Sequence, residues 1–150
     1  METAEVIVSE YGVDLSKFAT EKEFVSHLQL APHHNITGGK PQKKGRRKTK
    51  GTRTGKALRN AALGLSRSPT ALGAYYRRLA LRKRSDVAVF ATARKLATYV
   101  YRLLRWGQAY VDIGQKAYEK LYDAGRLRKL KTTAAQFGYQ LVQKTEAVTA

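Results

Sequence analysis

A long stretch with a single sign of charge constrains this chain more than any other feature. Between Glu23 and Asp86 the sequence has sixteen Lys and Arg residues and neither Asp nor Glu. Uncompensated cations repel one another when a chain compacts, and a polyanion relieves that repulsion. The phosphate backbone of nucleic acid is the commonest such polyanion in a cell. We therefore expect a fold that supports this stretch and a nucleic acid that neutralises it.

The composition of the whole chain agrees with this expectation and excludes several classes of protein. The 29 basic and 11 acidic residues leave a net charge of +18 and a pI near 10.4, which is typical of nucleic-acid binders. The absence of cysteine excludes disulfides, thiol catalysis and thiolate metal sites. A length of 150 residues with 43% hydrophobic residues fits one domain. The chain shows neither a signal-peptide pattern nor a long apolar run, so we expect a cytoplasmic protein without membrane contact.

The spacing of apolar residues predicts a mainly α fold, a compact domain of about five to six helices. In the first helix the β-branched Val-Ile-Val run leaves strand as the alternative. Thr20 and Glu23 have the spacing of a capping box, and Pro32 ends the helix that they open. The predicted helices cover residues 2–11, 21–31, 54–66, 69–84, 85–106 and 113–125.

Three later helix starts are predicted from residues that commonly cap helices. Ser68 precedes Pro69 at the first helical position, Ser85 precedes the longest helix, and Asp112 precedes the last one. Residues 1–125 are thus expected to form a helical nucleic-acid-binding domain, followed by a weakly ordered basic tail at residues 126–150. The best core candidate is the apolar stripe of the longest helix: Val87, Phe90, Ala91, Leu96, Ala97, Val100, Tyr101 and Leu104, with Arg94 among them.

Residues 33–55 are predicted to form a basic, glycine-rich loop, within which a short hairpin is left open. Its glycines allow the backbone to approach phosphates and to offer N–H donors. For the Arg residues near the end of the fourth predicted helix, stabilisation of the helix macrodipole is an equal alternative. The candidate nucleic-acid ligands are Lys40, Lys43, Lys44, Arg46, Arg47, Lys48, Lys50, Arg53, Lys56, Arg59, Arg77 and Arg78.

Several motifs, in order, resemble a known family over residues 2–110. The family has a helix, a Gly-Leu-x-Pro turn and a Ser-Gly-Gly-Lys motif, followed by helical motifs rich in Arg and Leu. The matching motifs in this sequence are TEKEF (20–24), LQLAP (28–32), NITGGK (35–40), ALR (57–59), YRRL (76–79), ARKLA (93–97) and YRLL (101–104). With these motifs the sequence resembles the C-terminal domain of the bacterial insertion-sequence transposases of family one-ten, the DEDD-type, bridge-RNA-guided DNA recombinases.

The resemblance implies a division of labour between two domains. Such transposases combine an N-terminal RuvC-like domain, whose four acidic residues bind Mg²⁺, with a helical domain that supplies a serine nucleophile and grips guide RNA and DNA. Thr37 stands at the position of that serine and is the candidate catalytic residue, with a simple turn-forming role as the alternative. The scattered acidic residues predict no metal site and no cofactor in this chain. We expect Mg²⁺ only in the N-terminal domain, and the chain alone to be a truncated, inactive part.

Two hypotheses about function therefore remain open. In the first, the chain is the C-terminal part of a DNA transposase or recombinase in a bacterial, nucleoid-associated setting. Its partners would be DNA, guide RNA, and an N-terminal transposase domain or a second copy of the chain. In the second, it is a structural RNA-binding protein of the ribosome-associated kind without enzymatic activity. Tyr75, Tyr76, Tyr99, Tyr101 and Trp106 are candidates for stacking on bases, although their helical spacing favours core packing for most of them.

Overall fold

Six α-helices and two short strands make up the part of the chain that the computed structural model describes. This part comprises residues 2–31, 36–37, 40–41 and 51–142. The mainly α fold and the expected number of helices are confirmed, and no helix in these ranges is long and apolar enough to cross a membrane. The elements are α1 (Glu2–Tyr11), α2 (Glu21–His27), β1 (Ile36–Thr37), β2 (Lys40–Pro41), α3 (Arg53–Gly64), α4 (Ala71–Arg82), α5 (Ser85–Trp106) and α6 (Gly114–Gln136).

Thr20 caps α2 as predicted, but the return bond of the expected capping box reaches Ala19 rather than Thr20, and the helix ends earlier than expected. The Thr20 side chain accepts a hydrogen bond from the Glu23 N–H, and the Glu23 carboxylate accepts one from the N–H of Ala19. The helix stops at His27, because Gln29 adopts a left-handed conformation with φ of 57°. The N–H of Leu30 then bonds back to the carbonyl of residue 25, which closes a Schellman motif. The prediction that α2 continues to residue 31 and is ended by Pro32 is therefore wrong.

The predicted cap of α4 is also wrong, although the helix itself is present. Thr70, not Ser68, is the N-cap, and its hydroxyl accepts a hydrogen bond from the N–H of Gly73 at 3.1 Å. A short 3₁₀ turn over Leu65–Arg67 connects α3 to this cap, so Pro69 lies before the helix. Ser and Thr are both common N-cap residues, and the cap at Thr70 was not predicted.

The helix predicted to be the longest, α5, differs from its prediction at its start and along its buried face. Arg84 is its N-cap residue, without a capping side chain, whereas the hydroxyl of Ser85 pairs with that of Tyr76 at 3.1 Å. Val87 and Phe90, predicted in the core, are 45% and 39% exposed. The residues that α5 buries are small at its start and large near its end: Ala88, Thr92, Ala93, Ala97 and Tyr101.

The last helix is longer than predicted and begins differently. α6 continues without a break through Gly125 to Gln136, so the predicted helix end at residues 123–125 is wrong. Asp112 does not cap it. The Asp112 carboxylate instead accepts a hydrogen bond from the N–H of Ala71 at the start of α4, at 3.0 Å. Residues 126–136 of the predicted weakly ordered tail are thus helical, while the division of the chain at residue 125 stays a prediction.

The hydrophobic core lies where α5 meets α2 and α3, with α1 packed on α3. Tyr101 is fully buried at its centre and donates its hydroxyl to the carbonyl oxygen of Phe18 at 2.8 Å. On another side, α4 packs against α5 and carries α6. The core cluster comprises Ile7, Leu15, Phe18, Phe24, Val25, Leu28, Leu30, Leu58, Ala62, Ala93, Ala97 and Tyr101.

Candidate nucleic-acid interface

The described residues on either side of the basic segment, defined as residues 32–52, come together at one place. The end of α2 touches the start of α3 so closely that a Cβ on Gly55 would lie 2.5 Å from the carbonyl oxygen of Leu28. Only glycine permits that approach without a shift of the backbone. The fold therefore clamps together the two ends of a segment that carries seven Lys and Arg residues and no acidic residue.

Hydrogen bonds fix the point at which the basic segment enters α3. The Thr52 side chain accepts a bond from the Gly55 N–H at 3.0 Å and so caps the helix. Thr54 is fully buried, and both its N–H and its hydroxyl donate to the carboxylate of Glu10 on α1. A carboxylate at a helix N-terminus is favoured by the macrodipole. One end of the basic segment is thereby tied to two helices.

Within the basic segment, β1 and β2 pair as the short antiparallel hairpin that the sequence left open. Ile36 lies opposite Pro41, and Thr37 lies opposite Lys40. The backbone of the candidate nucleophile thus neighbours that of a candidate phosphate ligand. The side chains of Thr37 and Lys40 lie outside the described residues, as do the predicted ligands Lys43, Lys44, Arg46, Arg47, Lys48 and Lys50.

The three predicted ligands on α3 have different environments. Arg53 and Lys56 are exposed and lie on the face of the helix opposite its buried residues. Arg59 is half-buried, with its guanidinium carbon 5.1 Å from the centroid of the Phe90 ring on α5. Arg53 and Lys56 therefore extend the charge of the basic segment onto the helical body.

Arg77 has a structural role. Its Nη1 donates to the carbonyl oxygens of Ser66 and Ser68, both at 2.9 Å, and its Nη2 donates to Oε1 of Gln115 at 2.7 Å. These bonds connect the 3₁₀ turn, α4 and α6. Most of the donors of the guanidinium are thus used inside the protein, and we leave Arg77 out of the interface proposed below.

Arg78, the last predicted ligand, holds α6 against α4 through aromatic rings. Its guanidinium carbon lies 3.4 Å from the centroid of Tyr122 and 5.2 Å from that of Tyr118. Its Nη1 is buried and has no hydrogen-bond partner in the described part of the chain. A desolvated cation stacked on two tyrosines strengthens the contact between these helices. We leave Arg78 out of the proposed interface as well.

Three carboxylates of the described residues accept hydrogen bonds from the protein itself. Glu21 accepts two hydrogen bonds from the Arg102 guanidinium, the shorter at 2.8 Å, and this bonding lowers the pKa of the Glu21 carboxyl. The carboxylates of Glu10 and Asp112 accept bonds from helix N-termini, as described above. Across residues 3–31 and 51–142, no group of three or more His, Asp or Glu side chains could hold a metal ion. These carboxylates therefore serve as structural acceptors.

Some residues that shape this region were not found from the sequence. Glu10, Asp112 and Gln115 bond to partners that are 44, 41 and 38 residues away along the chain. No local pattern marks such pairs, because they depend on which helices meet. Among the aromatic candidates, Tyr76 and Tyr101 are buried, in agreement with the core packing that their helical spacing favoured.

Comparison with known proteins identifies the family. Residues 1–77 match the family model described as Transposase IS116/IS110/IS902 family. The matched residues extend from α1 into α4 and include the whole basic segment, the hairpin and Thr37. No curated protein and no solved structure matches the chain. The family match spans just over half of the chain, and the chain therefore belongs to the IS116/IS110/IS902 family of transposases.

Proposed function

We propose that this chain is the C-terminal part of a DNA transposase or recombinase, and that it binds DNA and guide RNA through the basic segment. Membership of the transposase family implies an interaction with DNA. The observation that carries the proposal is the clamp between Leu28 and Gly55, which flank a segment whose sequence has seven Lys and Arg residues and no acidic residue. Long connections between neighbouring helices of a compact domain are usually functional.

Binding would work by neutralisation of phosphates. Each Lys or Arg that pairs with a phosphate releases a condensed counterion, so affinity falls steeply with salt concentration. The clamp lowers the entropic cost of binding, because the two ends of the segment are held together before the nucleic acid arrives. Arg53 and Lys56, exposed at the start of α3, would add two phosphate contacts beside the clamp.

We also propose a conditional role for Thr37. Its hydroxyl would act as the nucleophile toward a DNA phosphate only when a RuvC-like domain supplies the bound Mg²⁺. In support, Thr37 occupies the serine position of the family motif and pairs with Lys40 across the hairpin. The extra methyl of threonine restricts χ1, which makes the approach to phosphorus harder than for serine. In an assembled complex Thr37→Ala should abolish strand transfer, and Thr37→Ser should preserve or raise it.

The binding proposal is tested with a double variant at the base of the basic segment. Arg53→Ser with Lys56→Ser should make the slope of log affinity against log salt shallower by about 1.8 on duplex DNA, because two phosphate contacts are lost. The matched control is Lys116→Ser with Lys120→Ser, which removes two exposed cations from α6 and should leave the slope unchanged. Fluorescence anisotropy measures both slopes.

Two results would count against the binding proposal. Equal changes in slope for the two double variants would show that charge in general, and not the base of the segment, determines binding. Tight binding to folded RNA with negligible binding to DNA would favour the structural RNA-binding alternative.

A further inference from the structure

A small aromatic pocket lies on a different part of the fold from the clamp. It is bounded by α4, α5, the connection over residues 107–113, and α6. Its volume is about 160 Å³, which exceeds the roughly 30 Å³ that a water molecule occupies in the liquid but is below the 300 Å³ of typical drug-sized sites. A pocket of this size suits a single planar ring system. The lining residues used below are Tyr75, Lys95, Tyr99, Tyr110 and Tyr118.

Two of these tyrosines form a wall that is held in place. The rings of Tyr99 and Tyr110 are stacked, with centroids 4.5 Å apart and planes at 29°. The Tyr110 hydroxyl donates to the Asp112 carboxylate at 3.1 Å, and the same oxygen accepts the Ala71 N–H. Burial and this hydrogen bond raise the pKa of Tyr110 to about 12, so the phenol stays protonated as a donor. The wall is thus fixed in position by the start of α4.

Lys95 brings a cation into the pocket without an acidic partner. Its Nζ lies 4.1 Å from the centroid of Tyr75, and no carboxylate in the described ranges forms an ion pair with it. The side chain is half-buried, and burial lowers the pKa of its ammonium group. The Lys95 ammonium group forms no hydrogen bond with the described residues. A ligand that brings an acceptor would provide one.

The walls and the cation together select the class of ligand. Tyrosine rings favour a flat π-system, whereas the Lys95 ammonium disfavours cationic ligands and favours an oxygen or nitrogen acceptor. An unpaired nucleobase combines a π-face with ring and keto acceptors. Arg94 is exposed next to Lys95, and its charge acts on Tyr75, so a cation is available for the adjoining phosphate.

We infer that this pocket holds one unpaired nucleobase of the bound nucleic acid, with its ring against the tyrosines and an acceptor atom bonded to Lys95 Nζ. This inference rests on the proposed function, since it requires a bound strand. It adds a site on α4, α5 and α6 to the basic segment. The basic segment grips phosphates regardless of base, and the pocket fixes the position of one base along the strand.

The test compares a short single-stranded RNA with the same strand in which the bases have been removed. Wild-type protein should bind the intact strand about tenfold more tightly, because stacking of one base changes affinity by roughly this factor. Lys95→Met keeps the aliphatic stem and removes the ammonium, and it should reduce this ratio to about threefold or less. Lys120→Met on the exposed face of α6 is the matched control and should keep the full ratio.

Each outcome has a distinct meaning. Equal binding of intact and base-free strands by wild-type protein overturns the pocket but leaves the basic segment standing, and this comparison needs no variant to fold. An unchanged ratio in Lys95→Met overturns the role of the ammonium, and with it the inference. Failure to bind either strand, or duplex DNA, refutes the proposed function itself.

Discussion

Replacement of Gly55 by alanine tests the clamp at the base of the basic segment. The new Cβ would stand 2.5 Å from the carbonyl oxygen of Leu28 and 2.8 Å from the hydroxyl oxygen of Thr52. Both distances are below any normal van der Waals contact, and the first neighbour is backbone. The end of α2 and the start of α3 must therefore move apart, which strains the capping bond of Thr52.

Two destabilising contributions and one stabilising contribution determine the size of the effect. Overpacking of this kind costs about 1–3 kcal/mol, and a weakened N-cap costs about 1 kcal/mol more. Alanine returns up to about 1 kcal/mol through its better helix propensity. We expect Gly55→Ala to lower the free energy of unfolding by about 2 kcal/mol, or the urea midpoint by about 1 M.

The same helix provides the matched control. Gly64, the last residue of α3, has helical geometry with φ of −58°, and a Cβ there would meet no atom within 4 Å. Gly64→Ala should therefore raise stability by up to about 1 kcal/mol. Urea unfolding followed by circular dichroism at 222 nm measures both variants. If Gly55→Ala were as stable as Gly64→Ala, with the same dependence of the unfolding free energy on urea concentration, the close approach at the clamp would be refuted.

Two further predictions concern the core and the ion pair. Tyr101→Phe leaves the buried carbonyl of Phe18 without its donor and should lower the free energy of unfolding by about 1–2 kcal/mol. Tyr139→Phe, at an exposed site, is the control and should change the free energy of unfolding by less than about 0.5 kcal/mol. Equal effects of the two variants in urea titrations would count against the role of the Tyr101 hydrogen bond. The lowered pKa of Glu21 means that its pairing with Arg102 stabilises the fold above the ordinary carboxyl pKa of 4.5 and that this contribution is lost as pH falls through the lowered value. The stability difference between wild type and Arg102→Met should therefore be present at neutral pH and vanish in acid, and a difference independent of pH would contradict the assignment.

The sequence predicted the helices whose ends are marked by local chemistry. Gly12 and Gly107 end α1 and α5 in left-handed conformations, as expected of glycine after a helix. Thr20 caps α2 through a bond to a residue three positions along the chain. Such features depend on a few neighbouring residues, so the periodicity and capping rules are sufficient to find them.

The features that were not predicted depend on contacts between distant segments. α6 continues past Gly125 because a single glycine costs a helix only about 1 kcal/mol, which is too little to end it. Val87 and Phe90 are exposed because the small residues of α5, beginning at Ala88, face its neighbours. The helical period shows that one face is buried, but only the packing partners decide which face it is.

The candidate interface likewise has features that the sequence predicted and features that it did not. From the sequence alone we located the concentration of charge and considered a short hairpin within residues 33–55, since both are local properties. It could not separate Arg53 and Lys56, which are exposed, from Arg77, whose partners lie on the 3₁₀ turn and on α6. A count of cations therefore overstates the number that are free to bind phosphates.

The most direct test of the central claim is the salt dependence of duplex DNA binding by the wild type and by a variant in which the seven Lys and Arg residues of the basic segment are Gln. Engagement of roughly six to eight phosphates predicts a slope of log affinity against log salt of about −5 to −7 for the wild type. The variant should retain a slope no steeper than about −2, with unchanged helical content. A wild-type slope shallower than about −2, or an equal slope for both proteins, would contradict the claim that the basic segment binds the nucleic acid.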